Sequence, residues 1–121
     1  MANDAKILVV DDEEVMREFL LEVFSTHSPM CAENGEEALR LLKENPIAVV
    51  ITDLKMPRMD GLELLRRIKD FNPGIQVIVV TGYASLQMAS DCIRAGAADF
   101  LKKPFSIAQI RNSVNKALEV A

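Results

Sequence analysis

Three aspartates, one threonine and one lysine carry most of the chemical information in this 121-residue chain. Asp11 and Asp12 close the apolar run Ile7-Leu8-Val9-Val10, and Asp53 closes Ala48-Val49-Val50-Ile51-Thr52. Thr81 closes Gln76-Val77-Ile78-Val79-Val80, and Lys103 stands just beyond Phe100-Leu101. Each has an ordinary role when taken alone: an Asp at a helix N-cap, a loop carboxylate, a turn threonine, a solvated lysine. Their common placement is harder to dismiss, because each follows a short run of strand character. If those runs form one parallel sheet, all five residues open on the same edge, the crevice where such sheets bind ligands. Carboxylates gathered there repel one another unless something positive sits among them. A hard divalent cation with oxygen ligands supplies that charge, and magnesium is the first candidate. One carboxylate can then act as a nucleophile and take up a phosphoryl group. The cation, the Lys103 ammonium and the Thr81 hydroxyl can each meet one phosphoryl oxygen.

Five strand-and-helix alternations must position these residues. Strands are predicted at Ile7–Val10, near Met30-Cys31-Ala32, at Ala48–Thr52 running into Asp53, at Gln76–Val80 and at Ala98–Leu101. Helices are predicted from Glu13 to about Phe24, Glu36 to Lys43, Gly61 to Asp70, Ser85 to Ala95 with Gly96 closing it, and from a Ser106 cap to about Val120. The first helix carries Val15, Met16, Phe19, Leu20 and Val23 at helical spacing. On the fourth, Leu86, Ala89 and Ile93 are consistent with either packing or contact, with packing the default. Strands apolar on both faces and separated by helices imply an α/β fold, a parallel sheet covered on each side. The last helix uses up the sequence, leaving none of its residues for an effector domain.

Composition narrows the function. Net charge is −4, too acidic for a nucleic-acid footprint. The start, Met1-Ala2-Asn3-Asp4, is no signal peptide, and no apolar run is long enough to span a bilayer. Cys31 and Cys92 lack metal spacing and read as reduced, largely buried thiols of a cytoplasmic protein. His27 reads as a surface loop residue.

Four stretches, Ile7-Leu8-Val9-Val10-Asp11-Asp12-Glu13, Asp53-Leu54-Lys55-Met56-Pro57-Arg58-Met59-Asp60-Gly61, Thr81-Gly82-Tyr83 and Lys103-Pro104-Phe105, resemble the signatures of response-regulator receiver domains, the chemotaxis-regulator kind used in two-component signalling. The resemblance covers essentially residues 1–121 as one receiver domain. It implies a flavodoxin-like doubly wound five-stranded parallel sheet of order 2-1-3-4-5 with five helices. It further implies that Asp53 is the phosphoacceptor, and that Asp12, Asp53 and the Lys55 backbone carbonyl hold magnesium, with Asp11 acting directly or through water. Lys103 would pair with Asp53 or its phosphoryl group, and Thr81 would move toward it. The donor would be a phosphohistidine on a sensor histidine kinase or phosphotransfer protein. A downstream protein, an effector domain or a second copy in a phosphorylation-dependent homodimer would read the face of the fourth helix, fifth strand and fifth helix. The only catalysis implied is of the domain's own phosphorylation and dephosphorylation.

Phe100 stands where the family carries a switch aromatic, and a core role is equally ordinary. Lys103-Pro104 is expected to be cis. Met56 and Met59 are expected to pack on the third helix, and Gly61 to permit a close turn. By the same resemblance Lys55 and Tyr83 stand at variable positions that overhang the site in the family, and bulky Tyr83 is expected to hinder water. Three other readings compete. An aspartate-nucleophile phosphatase would want an acid at Lys55, and a flavin or nucleotide module would want a Gly- or Ser/Thr-rich loop where Asp11-Asp12-Glu13-Glu14 stands. A degenerate receiver would lack part of the Asp11, Asp12, Asp53, Thr81, Lys103 set.

Overall fold

Strands that are apolar on both sides need cover on both faces, and the computed structural model, which describes residues 6–121, provides it. The chain runs β1 (Lys6–Val10), α1 (Glu14–Val23), β2 (Met30–Ala32), α2 (Gly35–Glu44), β3 (Ile47–Asp53), α3 (Gly61–Phe71), β4 (Gln76–Thr81), α4 (Leu86–Arg94), β5 (Asp99–Lys102) and α5 (Ile107–Val120). All neighbours pair in parallel, in the order β2-β1-β3-β4-β5. This is the doubly wound flavodoxin-like arrangement that the family resemblance implies. Element ends differ from the sequence reading by a residue or so, the usual fraying at element termini. The residues Met1-Ala2-Asn3-Asp4 lie outside the described region.

Alternation along each strand splits the core into two layers. Ile7, Val9, Val49, Ile51, Ile78 and Val80 meet Leu20 and Phe24 of the first helical region and Ile110, Val114 and Ala117 of α5. Leu8, Val10, Val50, Val77 and Val79 meet Ala38 and Leu42 of α2, Leu64, Leu65 and Ile68 of α3, and Cys92 of α4. Each fully buried Ile or Leu contributes roughly 1.5–3 kcal/mol relative to exposure. Four helices start on side-chain caps. Asn34, Asp60, Ser85 and Ser106 accept backbone N–H groups of Glu37, Glu63, Met88 and Gln109, and Ser106 and Gln109 close a capping box.

Several expectations need correction. Val15 is 81% exposed, because the buried stripe of α1 runs through Met16, Phe19, Leu20 and Val23 and leaves Val15 to one side. On α4 the inward stripe is Met88, Cys92 and Ala95, so Leu86 (89% exposed) and Ile93 (51%) face outward and are not packed. Cys31 is exposed, since β2 is an edge strand, while Cys92 is buried. His27 belongs to a one-turn 3-10 helix and stacks edge-on against Phe24. Met56 and Met59 are buried as expected, but Met59 lies against Gly35 at the start of α2, where a Cβ would come within 2.5 Å of its sulfur.

Candidate functional site

Strand register brings the acids together. β1 and β3 pair side by side with Val10 opposite Thr52, so the next residue of each strand, Asp11 and Asp53, emerges on the same edge. β2 lies on one side of β1 and β4 on the other side of β3, so strand order reverses here. β4 and β5 pair with Thr81 opposite Lys102, which delivers Lys103 to that edge. The Lys103 N–H donates to the Thr81 carbonyl at 2.8 Å, tying the two strand ends together, and the Lys103-Pro104 bond is cis.

Lys103 Nζ lies 3.2 Å from Asp11 Oδ2 and 3.3 Å from Asp53 Oδ2, with Glu13 Oε1 at 3.9 Å. One oxygen each of Asp11, Glu13 and Asp53 falls within a single 4.8 Å group that could hold a metal ion. The other oxygens of the two aspartates are engaged by backbone. Asp11 Oδ1 accepts the Glu13 N–H at 2.9 Å, and Asp53 Oδ1 accepts the Leu54 N–H at 2.7 Å. These bonds fix both carboxylate planes and leave Oδ2 of each facing the lysine. Asp11 therefore does serve the start of α1, as a plain capping role would have it, although the N-cap residue is Glu13. A cleft of about 330 Å³ opens above the group, lined by Asp12, Glu13, Asp53, Lys55, Tyr83 and Lys103. A larger hollow lies between α2 and α3, but its walls (Glu36, Leu39, Arg58, Met59, Asp60, Glu63, Arg67) include none of the residues at this strand edge.

The electrostatics follow from burial. Asp11 and Asp53 are nearly inaccessible, at 1% and 6% exposure. Burial raises the Asp11 carboxyl above its ordinary 3.8, and the neighbouring Asp53 charge adds to the rise; the Glu13 N–H and Lys103 oppose it. Burial alone would lower Lys103, yet Asp11 and then Asp53 outweigh it and hold the ammonium above its ordinary value. Four carboxylates (Asp11, Asp12, Glu13, Asp53) meet two ammoniums (Lys55, Lys103) around the cleft. That surplus suits a hard cation.

With the metal chelated, Asp11→Asn is expected to raise the melting midpoint at neutral pH by a few degrees, because it removes a carboxylate whose charge the folded state disfavours. A raised folded pKa contributes stability that is full below 3.8 and is lost as pH rises through the raised value, so the advantage of the Asp11→Asn variant widens in that direction. Paired melts across that range check it; a gap that narrows with rising pH contradicts it.

Of the residues singled out from sequence, Asp11, Asp53 and Lys103 are in direct contact. Asp12 and Lys55 line the cleft, Asp12 as an exposed side chain outside the tight acid group. Thr81 is fully buried, and its hydroxyl accepts the Tyr83 N–H at 3.0 Å, turned to its own loop. Tyr83 is 67% exposed, and its ring sits 5.2 Å from Lys55 Nζ, a cation–π approach across the cleft mouth. Phe100 is half-buried against the α2–α3–α4 layer. Gly61 is needed where it stands: a Cβ there would lie 2.3 Å from the Asp53 carbonyl oxygen. Glu13 is the acid that sequence reasoning misses, and its signal is the unbroken run Asp11-Asp12-Glu13-Glu14.

A doubly wound sheet with an acid group and a lysine at its switch point defines a receiver-type α/β domain. Residues 7–115 match the response regulator receiver domain family, and the chain belongs to it, as a receiver domain of the two-component response regulators. Sporulation initiation phosphotransferase F of Bacillus subtilis is 39% identical over 120 residues, covering 98% of this chain and 96% of that protein. Regulatory protein AtoC of Escherichia coli is 37% identical over 120 residues, and there the chain spans only 25% of the relative's length. The beryllofluoride-activated NtrC4 receiver domain dimer, solved in solution, has a TM-score of 0.89 at 35% identity over 98% of each chain.

Proposed function

We propose that this domain accepts a phosphoryl group on Asp53 from a phosphohistidine of a sensor histidine kinase or phosphotransfer protein, with magnesium bound beside it. The observation that carries the reading is the Lys103 ammonium lying between Asp11 Oδ2 and Asp53 Oδ2 at a solvent-open strand edge. Asp11, Asp12, Asp53 and the Lys55 carbonyl are the groups proposed to hold the cation; the tight oxygen group and the surplus of carboxylates fit a hard divalent ion. When bound, magnesium neutralises charge on the phosphoryl oxygens. Asp53 Oδ2, once Lys103 swings off it, attacks phosphorus; the bond to the donor nitrogen breaks, that nitrogen keeps the bonding electron pair, and the imidazole takes up a proton from solvent. Lys103, released from its two carboxylates, follows the phosphoryl oxygens. The Thr81 hydroxyl, which accepts the Tyr83 N–H, keeps its own O–H to donate to a phosphoryl oxygen, and moving toward that oxygen with the bond intact draws its loop inward. The domain catalyses nothing beyond its own phosphorylation and dephosphorylation in this reading.

The new group carries roughly −1.5 to −2 charge and three strong acceptors, enough to bias two arrangements of these loops. The surface proposed to report the change is that of α4, β5 and α5, where Leu86 and Ile93 already stand exposed. Its reader is a downstream protein, an attached effector domain or a second copy; the dimeric state of the activated relative supports the last. Residues 1–121 are proposed as one receiver unit. No helix of the described residues is long and apolar enough to cross a membrane. The two free thiols, one of them exposed, support a reducing, cytoplasmic setting.

Incubation with magnesium and acetyl phosphate, read by intact mass, tests the reading. A gain of one phosphoryl group, absent when the metal is chelated, is expected; uptake without metal would overturn the role assigned to it. Tyr83→Ala is expected to speed loss of that group roughly two- to fivefold by opening the cleft to water. Decay that is unchanged or slower removes Tyr83 from the account.

A further inference from the structure

Asp12 is the least anchored of the acids. It is exposed, and its carboxylate makes no hydrogen bond to another described residue, so the backbone that sets its Cα–Cβ direction is what holds it toward the cleft it lines. That backbone is held at Asp11. The Asp11 N–H donates to the Ala32 carbonyl at 3.2 Å, Oδ1 accepts the Glu13 N–H, and Oδ2 meets Lys103. The remaining polar atom is the Asp11 carbonyl. It accepts Nη1 of Arg17, a half-buried residue of α1, at 2.9 Å. This carbonyl shares one rigid peptide plane with the Asp12 N–H. A charge-assisted bond to it fixes the torsion leading into Asp12. Arg17 is not among the residues lining the cleft.

Resting on the magnesium reading above, we propose that Arg17 is a positioning residue for the cation site, acting through the Asp11–Asp12 peptide without touching the cation or the phosphoryl group. Two physical effects of removing it have opposite signs. By Coulomb's law alone, deleting a positive charge near a cation site tightens cation binding. Releasing the peptide that aims two carboxylates loosens it, as removal of outer partners of metal ligands generally does. The sign of the change therefore separates positioning from bulk charge, and loss of helix stability alone would not move the affinity of the folded protein.

Calorimetric titration of the full chain with magnesium decides between them, using wild type, Arg17→Met, Arg17→Gln and Asp53→Asn. Arg17→Met keeps most of the apolar stem, and both Arg17 variants are expected to bind magnesium about three- to tenfold more weakly. The magnesium requirement for labelling by acetyl phosphate should rise by the same factor. Magnesium affinity that is unchanged or tighter in a cooperatively melting variant overturns the proposal; Arg17→Gln serves if Arg17→Met does not melt cooperatively. Failure of the underlying reading looks different: wild type then binds no magnesium, or Asp53→Asn binds it as well as wild type does.

Discussion

Lys103→Met should lower stability by about 2–3 kcal/mol in chelator, a fall of roughly 10 °C in melting midpoint. Asp11 and Asp53 have side-chain exposures of 1% and 8%, and Lys103 is the only ammonium within ion-pair distance of both among the described residues. Remove it and two carboxylates face each other with little water to separate them. Breaking a fully buried pair costs about 3–5 kcal/mol, and the open cleft above this one places it toward the lower end. Magnesium should restore part of the loss, because a cation that binds only the folded state stabilises it by mass action. The raised Lys103 pKa sets the pH window: its stabilisation is complete below the ordinary 10.5 and fades only as pH rises through the raised value. The deficit of Lys103→Met is therefore expected to be flat through neutral pH and to close in alkali. A variant as stable in chelator as wild type would show that Lys103 is not the counter-ion.

Asp53→Asn should lower phosphoryl uptake from acetyl phosphate by about a hundredfold or more, because an amide oxygen lacks the charge and the nucleophilicity of the carboxylate. The fold should survive. The amide oxygen can still accept the Leu54 N–H that Asp53 Oδ1 accepts, and Lys103 keeps Asp11 as a partner. The contrast with Lys103→Met is the informative part: one change abolishes chemistry at little cost in stability, the other costs stability as well. Uptake that persists in Asp53→Asn at wild-type rate, measured by intact mass, would move the acceptor elsewhere.

Much of this site was legible because its geometry is carried by the sheet. Continuous apolar runs such as Ile7-Leu8-Val9-Val10 and Val77-Ile78-Val79-Val80 require cover on both faces, and that requirement dictates a parallel sheet with its strand ends together. Once the strands are parallel, Asp11, Asp53, Thr81 and Lys103 must share an edge. What sequence left open depends on rotation about single elements. Val15 and Leu86 satisfy helical spacing, yet the stripe that docks is chosen by the neighbouring strands, and each falls just off it. Cys31 is exposed because β2 ends the sheet, which its own letters do not reveal. The run Asp11-Asp12-Glu13-Glu14 points to Glu13, but which acid of that run turns into the group depends on local geometry that the letters do not encode. The Arg17 bond to the Asp11 carbonyl is hidden for the same reason: its acceptor is backbone.

The most direct test is to locate the phosphoryl group. Borohydride cleaves an acyl phosphate and reduces its carbon, so protein labelled with acetyl phosphate and magnesium, then reduced and digested, should yield homoserine in place of Asp53 and aspartate unchanged at Asp11 and Asp12. Homoserine at Asp11 or Asp12, or no reducible residue in a protein that has gained the mass of a phosphoryl group, would contradict the assignment of Asp53 as the nucleophile.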